Sequence, residues 1–279
     1  MVETIECPEF MEESVPVKPG GTLYVKSSRG AIDIRSHDAD EVRVEAEARG
    51  RRPERVIFRL DTAGDDVRFE VRTEGWLTGM FGGIDVRARL WVPRQYSVAL
   101  RASGGDAHVD AITGDVELHA SGGDVALSRI IGRVDLHTSG GRVELEHVDG
   151  AVRLRSSGGN TELRDVYGDL NVRASGGDLS IDGVDGGVRA RMSGGSTSIV
   201  FLGDPEGDIK CAGGSLEVFV REDASFDLDA KGLGGKIDLD LEFDTVRDSG
   251  PHHFVGRRGV KGPRLKLRSA GGGIHIGLL

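Results

Sequence analysis

The sequence contains little of several residue types. Cysteine occurs twice, at Cys7 and Cys211, and aromatic residues make up only 5% of the chain. Two cysteines far apart, without metal-binding spacing, predict two reduced thiols, with a disulfide as the alternative. So few aromatic side chains argue against large platforms that stack bases or sugars. No stretch approaches the roughly 18 consecutive apolar residues of a transmembrane helix, so no membrane-spanning segment is predicted.

The opening segment MVETIECPEFMEESVPVKPG carries five glutamates and no apolar core of an export signal. It predicts a protein without a signal peptide and therefore a cytoplasmic location, with a surface location left open. The net charge is −10, from 46 acidic and 36 basic residues. This charge would repel nucleic acid and anionic membranes unless a local patch overrides it, so no nucleic-acid partner is expected.

Glycine is the abundant residue, at 43 of 279 positions, and it is strictly periodic. The triplet Ser-Gly-Gly recurs every 18 residues, starting at Ser103, Ser121, Ser139, Ser157, Ser175 and Ser193. A second glycine register has the same period, at Gly114, Gly132, Gly150, Gly168 and Gly186. Each 18-residue repeat therefore has two points at which the chain can turn.

Between these glycines apolar and polar residues alternate, as in Val116 and Leu118 or Val125 and Leu127. Alternation with period two predicts strands, and each repeat supplies two short strands with one apolar face. Neither strand can bury that face alone, so neighbouring repeats must stack. The predicted fold is an all-β solenoid with 18-residue coils of two short strands each, preceded by longer β-hairpin strands that act as an N-terminal cap.

The ends of the chain depart from this regularity. Residues 1–95 are predicted to form the N-terminal β region or cap, continuous with a solenoid at 96–279 that is regular to about residue 200 and irregular after it. The segment DTVRDSGPHHFVGRRGVKGPR is predicted to be a mobile loop. A cluster without strand alternation is predicted to plug the core or, alternatively, to form an apolar patch that binds a partner: Trp76, Leu77, Met80 and Phe81.

The repeated Ser-Gly-Gly-Asp has two interpretations. Glycine reaches positive φ without steric cost, and an aspartate beside it can accept backbone N–H groups in a turn, which favours corners. The alternative is a calcium site of the kind found in nonapeptide repeats, using Asp106, Asp115 and Asp124. The glycine doublets lack the motif of a phosphate-binding loop and the strand-to-helix context in which such loops occur, so no cofactor is expected. His119 and His137 fall on one face among arginines, which disfavours a metal there.

The run VPRQYSVALRASGGDAHVDAITGDVELHASGGDVALSRIIGRVDLHTSGG resembles the bacterial adhesin-like family of β-strand repeats called domain of unknown function 4097, and is similar to the related head-GIN proteins. The resemblance covers the chain from about residue 20 to its end. It implies a β-solenoid and no established biochemical activity. The resemblance carries over no catalytic residues.

Residues 18 apart should stack, so outward positions form columns. One column predicted from the period is Arg101, His119, His137, Arg155, Arg173 and Arg191, beside Glu117, Asp135, Arg153, Asn171 and Arg189. The candidate interaction face comprises Arg153, Arg155, Arg173, Arg189 and Arg191. The other sheet is predicted to be net acidic, with Glu144, Glu146, Glu162, Arg164 and Asp182.

These features predict a non-enzymatic structural or interaction module that binds a protein partner or associates with itself. The alternative is adhesin-like binding of an acidic glycan through the arginines. A third interpretation, a polysaccharide-active enzyme, is disfavoured because the acidic residues fall on solvated faces or turns, where no perturbed carboxylate pair is expected.

Overall fold

The computed structural model describes residues 3–73 and 83–279. The chain divides into two compact units, Met1–Gly141 and Arg142–Leu279. Within the described residues it is almost entirely β, with one short 3-10 helix at Pro53–Arg55. No helix in this part of the chain is long and apolar enough to cross a membrane.

The described residues of the first unit form thirteen strands in two sheet segments. They are β1 (Glu3–Pro8), β2 (Phe10–Pro16), β3 (Thr22–Ser27), β4 (Ala31–His37), β5 (Glu41–Gly50), β6 (Val56–Ala63), β7 (Asp66–Thr73), β8 (Ile84–Pro93), β9 (Ser97–Ala102), β10 (Ala107–Asp110), β11 (Val116–Ala120), β12 (Val125–Ile131) and β13 (Val134–Thr138). Their orders are β1-β6-β7-β3-β9-β11-β13 and β2-β5-β8-β4-β10-β12.

The N-terminal strands form the predicted hairpin-like region. Strand β6 pairs antiparallel with β7 and β1, and β5 pairs antiparallel with β8 and β2. The outermost strands, β1 and β2, end in Pro8 and Pro16 and carry several glutamates. Proline and charge on an edge strand oppose pairing with another chain, so this end of the unit is protected against edge-to-edge association.

The second unit contains fifteen strands. They are β14 (Val143–Asp149), β15 (Val152–Ser156), β16 (Thr161–Tyr167), β17 (Leu170–Ala174), β18 (Leu179–Asp185), β19 (Val188–Met192), β20 (Thr197–Phe201), β21 (Gly207–Cys211), β22 (Leu216–Val220), β23 (Phe226–Gly232), β24 (Ile237–Leu239), β25 (Thr245–Gly250), β26 (His253–Arg258), β27 (Arg264–Ser269) and β28 (Ile274–Leu278). Their orders are β15-β17-β19-β21-β27-β23-β26-β25 and β14-β16-β18-β20-β22-β28-β24.

The 18-residue register is observed directly in both units. Val116 pairs with Val134 and Leu118 with Leu136, both in parallel strands. In the second unit Leu163 pairs with Ile181 in the same way. Along these strands the apolar residues are buried and the alternate ones face outward. The all-β solenoid fold is thereby confirmed, and the division at residue 95 stays a prediction.

The two glycines of each doublet have different roles. Gly123 has a φ of +79°, and a Cβ built on it would lie 2.1 Å from the carbonyl oxygen of Gly105, one coil earlier. Gly177 meets the carbonyl of Gly159 in the same manner, at 2.0 Å. A Cβ on Gly122 would meet nothing within 4 Å. Only the second glycine is therefore required, both for its left-handed backbone and for close approach between coils.

The aspartates after the doublets complete these corners. The Asp106 carboxylate accepts the backbone N–H of Asp124 at 2.9 Å, and Asp178 accepts that of Ser196 at 2.8 Å. At the opposite corner Asp115 accepts the N–H of Arg133 at 3.0 Å. The predicted role as backbone acceptors is thus observed, although each bond joins successive coils instead of closing its own turn. These carboxylates are held by the backbone, which favours corners over the calcium alternative.

The segment predicted as a mobile loop is folded, and that prediction was wrong. Strands β25 and β26 form an antiparallel hairpin, and β26 pairs with β23. Arg257 binds Asp227 through two hydrogen bonds of 2.6 and 3.0 Å. Phe254 packs on Phe243, with ring centroids 4.7 Å apart, and Phe243 packs edge-on against Phe226 at 5.9 Å. Aromatic packing and an ion pair outweigh the glycine content of the segment.

The final coil also differs from expectation. Strand β27 lies between β21 and β23, and β28 lies between β22 and β24. The last coil is thus inserted between two that precede it in sequence. Gly272 stacks on Gly214, and a Cβ built on Gly272 would lie 2.2 Å from the Gly214 carbonyl oxygen. The inserted coil therefore uses the same corner chemistry as the regular ones.

Tyr96 anchors the junction between the hairpin-like region and the coils. It is 1% exposed, and its hydroxyl donates a hydrogen bond to the backbone carbonyl of Asp65. Burial, together with the negative charges of Asp66 and Asp65, raises the pKa of Tyr96 above its ordinary value. The folded protein therefore keeps this phenol protonated at pH values where the unfolded chain ionises it.

We expect Tyr96→Phe to lower the free energy of unfolding by about 1–2 kcal/mol at neutral pH, because the Asp65 carbonyl loses its donor. The stability contributed by a raised phenol pKa is present below about pH 10 and is lost as the pH rises further. The free energies of unfolding of the wild type and the variant should therefore converge above about pH 10. Denaturant unfolding across this pH range measures the gap. Tyr167→Phe, at a residue 48% exposed, is the control; a gap independent of pH would contradict the assignment.

Candidate functional site

Six basic side chains occupy one register position on successive strands of the second unit. Arg155 on β15 pairs with Arg173 on β17, which pairs with Arg191 on β19. The column continues through the pairing of β21, β27 and β23. We call this set the basic column; its members are Arg155, Arg173, Arg191, Lys210, Arg268 and Lys231.

Adjacent strands lie about 4.8 Å apart, a spacing set by backbone hydrogen bonding, so the side chains of the column project from the sheet at that repeat. Five of the six residues are exposed, and Arg268 is half-buried. Arg153, Asn171 and Arg189 form a neighbouring column on the same three strands. The candidate face predicted from the sequence, Arg153, Arg155, Arg173, Arg189 and Arg191, is therefore brought together on strands β15, β17 and β19.

Charge compensation differs along the column. Lys210 binds Asp208 at 3.1 Å, and Arg268 binds Asp229 at 3.1 Å. Among the described residues Arg173, Arg189 and Arg191 make no ion pair. Stacked guanidinium groups repel one another weakly in water, by about 1 kcal/mol per pair at contact distance. An anion placed across these arginines would relieve that repulsion and gain charge-assisted hydrogen bonds.

Asp229 neutralises the far end of the column. Burial alone would raise the pKa of Asp229, but hydrogen bonds and positive charge from Arg268 and Arg264 outweigh it and hold that pKa below its ordinary value. The carboxylate accepts from Arg264 at 2.9 Å. Asp229 therefore remains ionised in the ordinary pH range and compensates Arg268, while Arg173 and Arg191 carry uncompensated positive charge on β17 and β19.

The opposite sheet of the second unit carries the predicted acidic residues. Glu144 pairs in register with Glu162, and Glu146 with Arg164, which pairs with Asp182. Part of this charge is neutralised locally, since Arg142 lies 3.4 Å from Glu144 and Arg164 binds Glu162. The acidic face is thus more nearly balanced than the basic one.

The predicted histidine pair lies in the first unit. His119 and His137 stack with ring centroids 4.8 Å apart and an angle of 10° between planes. His119 contacts Glu117 at 3.1 Å, and His137 contacts Asp135 at 3.3 Å. Each ring is engaged by a carboxylate of its own strand, which disfavours a shared metal ion. In the second unit His147 lies 3.2 Å from Asp165, which is 18 residues further along the chain.

Within the described ranges one group has ligand atoms close enough to hold a metal ion: Asp238, Asp240 and His275, all within 4.8 Å of one another. Asp238 and Asp240 are 78% and 64% exposed, and the two ring nitrogens of His275 face one carboxylate each, at 3.8 and 3.7 Å. This arrangement is that of an exposed ion-pair cluster at a sheet edge. Both Cys7 and Cys211 are free thiols.

The predicted apolar patch of Trp76, Leu77, Met80 and Phe81 lies outside the described residues, and its role stays a prediction. Sequence reasoning missed three members of the basic column, Lys210, Lys231 and Arg268. It also missed a cavity beside Tyr24 in the first unit. The sequence does contain a signal for these three basic residues. Each stands two positions before an x-Gly-Gly triplet, in KCAGG, KGLGG and RSAGG, just as the arginines do in RASGG and RMSGG.

Solved structures resemble this chain only distantly. A "putative cell adhesion protein" from Clostridium sporogenes is 10% identical over 97% of this chain and 100% of its own, with a TM-score of 0.29. A "putative adhesin" from Bacteroides fragilis is 13% identical over 96% and 97%, with a TM-score of 0.35. A "putative lipid binding protein" from Parabacteroides distasonis is 9% identical over 100% and 96%, with a TM-score of 0.40. At such scores these resemblances carry no weight for function.

No curated protein sequence matches the chain. The family model of Toastrack DUF4097 matches residues 22–229, which covers most of the sequence and includes the regular repeats, the corner glycines and strands β15, β17 and β19. The resemblance noted from the repeat pattern is confirmed by this match. The chain belongs to the Toastrack DUF4097 family.

Proposed function

We propose that this chain is a non-enzymatic binding module whose basic column holds an acidic glycan. The single observation that carries the proposal is the alignment of six cationic side chains in one register column, with Arg173 and Arg191 unpaired among the described residues. A net charge of −10 makes this concentration of positive charge a local feature, which confines attraction for a polyanion to one face.

The ligand class follows from the chemistry of the column. Guanidinium groups bind carboxylates with paired, parallel hydrogen bonds. A linear polymer of uronic acids offers one carboxylate per sugar, so a single chain lying along the column presents several carboxylates to its arginines.

Self-association or a protein partner, the function first expected from the sequence, has weaker support. Contact between copies would place the acidic face of one on the basic column of another. Arg142 and Arg164 already compensate Glu144 and Glu162 on that face. Light scattering across concentration tests this alternative, and a concentration-dependent increase in mass that salt abolishes would favour it over the glycan.

The test of the glycan proposal is calorimetric titration with an oligogalacturonate of defined length. We expect saturable binding that weakens steeply with salt, because counterions are released from the polyanion. The double variant Arg173→Gln, Arg191→Gln should bind at least about tenfold more weakly, since each lost charge-assisted hydrogen bond contributes about 1 kcal/mol or more.

The matched control is Arg142→Gln, Arg164→Gln, which removes the same charge from the other sheet. Its affinity should stay within about twofold of the wild type, a difference below about 0.5 kcal/mol. Equal losses in both double variants would show attraction to net charge alone, and unchanged affinity in the Arg173, Arg191 variant would reject the column as the site.

A further inference from the structure

A cavity of about 420 Å³ opens on the outer face of the first unit, where strands β7, β3, β9 and β11 lie side by side. Its volume is within the range of small-molecule sites, roughly 300–1,000 Å³. Its lining includes Tyr24, Arg68, Glu70, Ala99, Arg101 and Glu117. None of these belongs to the basic column.

The cavity exists because of one small residue. Tyr24 pairs in register with Ala99, and Ala99 pairs with Glu117. Ala99 therefore places a methyl group between two large outward side chains. The Ala99 methyl forms the floor of the cavity. The ring of Tyr24, a residue that is 39% exposed, forms the adjacent wall.

The Tyr24 ring is supported from the other side. Arg68, on β7, lies with its guanidinium carbon 5.7 Å from the centre of the ring. Because β7 and β9 flank β3 on opposite sides, Arg68 backs the ring on one side and the Ala99 gap lies on the other. A cation over an aromatic face holds the ring in place, so the wall is pre-organised.

The described lining carries four cationic side chains and two carboxylates, Glu70 and Glu117, so its net charge is positive. Glu70 is engaged by Lys26 at 3.0 Å and by Arg72 at 2.8 Å, and Glu117 contacts His119 at 3.1 Å. Among the residues that the structure describes, Arg101 makes no ion pair. The cavity thus combines an aromatic wall, hydrogen-bonding carboxylates and one unengaged guanidinium.

We propose that this cavity binds a single hexuronic acid. The apolar C–H face of the pyranose packs on the Tyr24 ring above Ala99, the carboxylate pairs with Arg101, and sugar hydroxyls donate to Glu117. The aromatic wall selects a flat ring with an apolar face, and Arg101 selects the acid over the neutral sugar. This site stands independently of the basic column.

The experiment is an NMR titration of the whole chain with glucuronate, and with glucose as the neutral comparator. We expect saturable shifts with glucuronate and at least about tenfold weaker binding of glucose. Ala99→Leu fills the gap, and Tyr24→Ala removes the wall; both should weaken glucuronate binding at least about tenfold, whereas Tyr24→Phe keeps the wall and should stay within about twofold. Arg101→Gln should bind the acid and the neutral sugar alike.

Two control variants test whether these effects belong to the cavity itself. Ala126→Leu makes the same change at an outward position on β12 and should leave glucuronate binding unaltered. The Arg173→Gln, Arg191→Gln variant should also leave glucuronate binding unaltered. The proposal for the cavity and the proposal for the basic column are therefore tested independently. Absence of saturable binding by the wild type, equal binding of glucose, or unchanged affinity in a folded Ala99→Leu protein would each overturn the proposal.

Discussion

Gly123→Ala is expected to lower the free energy of unfolding by about 2–5 kcal/mol. A left-handed conformation costs an L-residue about 1–2 kcal/mol, and Gly123 has a φ of +79°. The new Cβ would also lie 2.1 Å from the carbonyl oxygen of Gly105, so the two coils would have to separate. Steric overlap of this kind in a packed region typically adds about 1–3 kcal/mol. Denaturant unfolding followed by circular dichroism measures the loss.

Gly122→Ala is the matched control, one residue away in the same doublet. A Cβ there meets nothing within 4 Å. Replacing glycine also restricts the unfolded chain, which stabilises by about 0.4–1 kcal/mol where the native backbone is compatible. We expect Gly122→Ala to stay within about 1 kcal/mol of the wild type. Similar losses in the two variants would show that the doublet acts as a flexible hinge and not as a stacked corner.

Phe226→Ala is expected to cost about 3–5 kcal/mol, the usual range for deleting a buried phenylalanine. Phe226 has no exposed surface, and it lies beneath Phe243, whose ring also packs on Phe254. Its removal leaves a cavity under the β25–β26 hairpin, so the hairpin should lose protection as well. Hydrogen exchange of the β26 amides, measured with denaturant unfolding, tests both effects.

The control for Phe226 is Phe10→Ala, because Phe10 is 55% exposed on the edge strand β2. Its effect should be about 0.5 kcal/mol or less. If β26 amides exchange equally fast in the wild type and in Phe226→Ala, the aromatic cluster does not hold the hairpin, and the ion pair of Arg257 with Asp227 would be its main attachment.

The period of the sequence predicted the register because stacking repeats must align identical positions. The pairing of Arg155 with Arg173 and of His119 with His137 follows directly from a separation of 18 residues. The corner glycines were predictable for the same reason, since every copy meets the copy before it. What the period could not distinguish was the first glycine of a doublet from the second, which depends on φ and on the neighbouring carbonyl.

Where the period ends, local patterns were insufficient. The hairpin β25–β26 is held by Phe243 and Phe254, which are scattered among glycine, proline and charged residues. The Tyr24 cavity depends on pairing between β3 and β9, which no repeat connects. Lys210 and Arg268 were missed because they do not follow the 18-residue spacing, although each keeps its position before the glycine doublet. Position relative to the corner therefore predicts which residues align in a column better than a fixed residue count does.

The insertion of β27 between β21 and β23 constrains the order in which this part of the chain can assemble. As the polypeptide emerges from the ribosome, β23 and β24 are made before the strands that will separate them from β21 and β22. They must wait undocked, or detach again, until residues 264–278 have been synthesised. During that interval the nascent chain exposes the unpaired edges of two sheets. Another polypeptide could pair with these edges before the last coil is inserted.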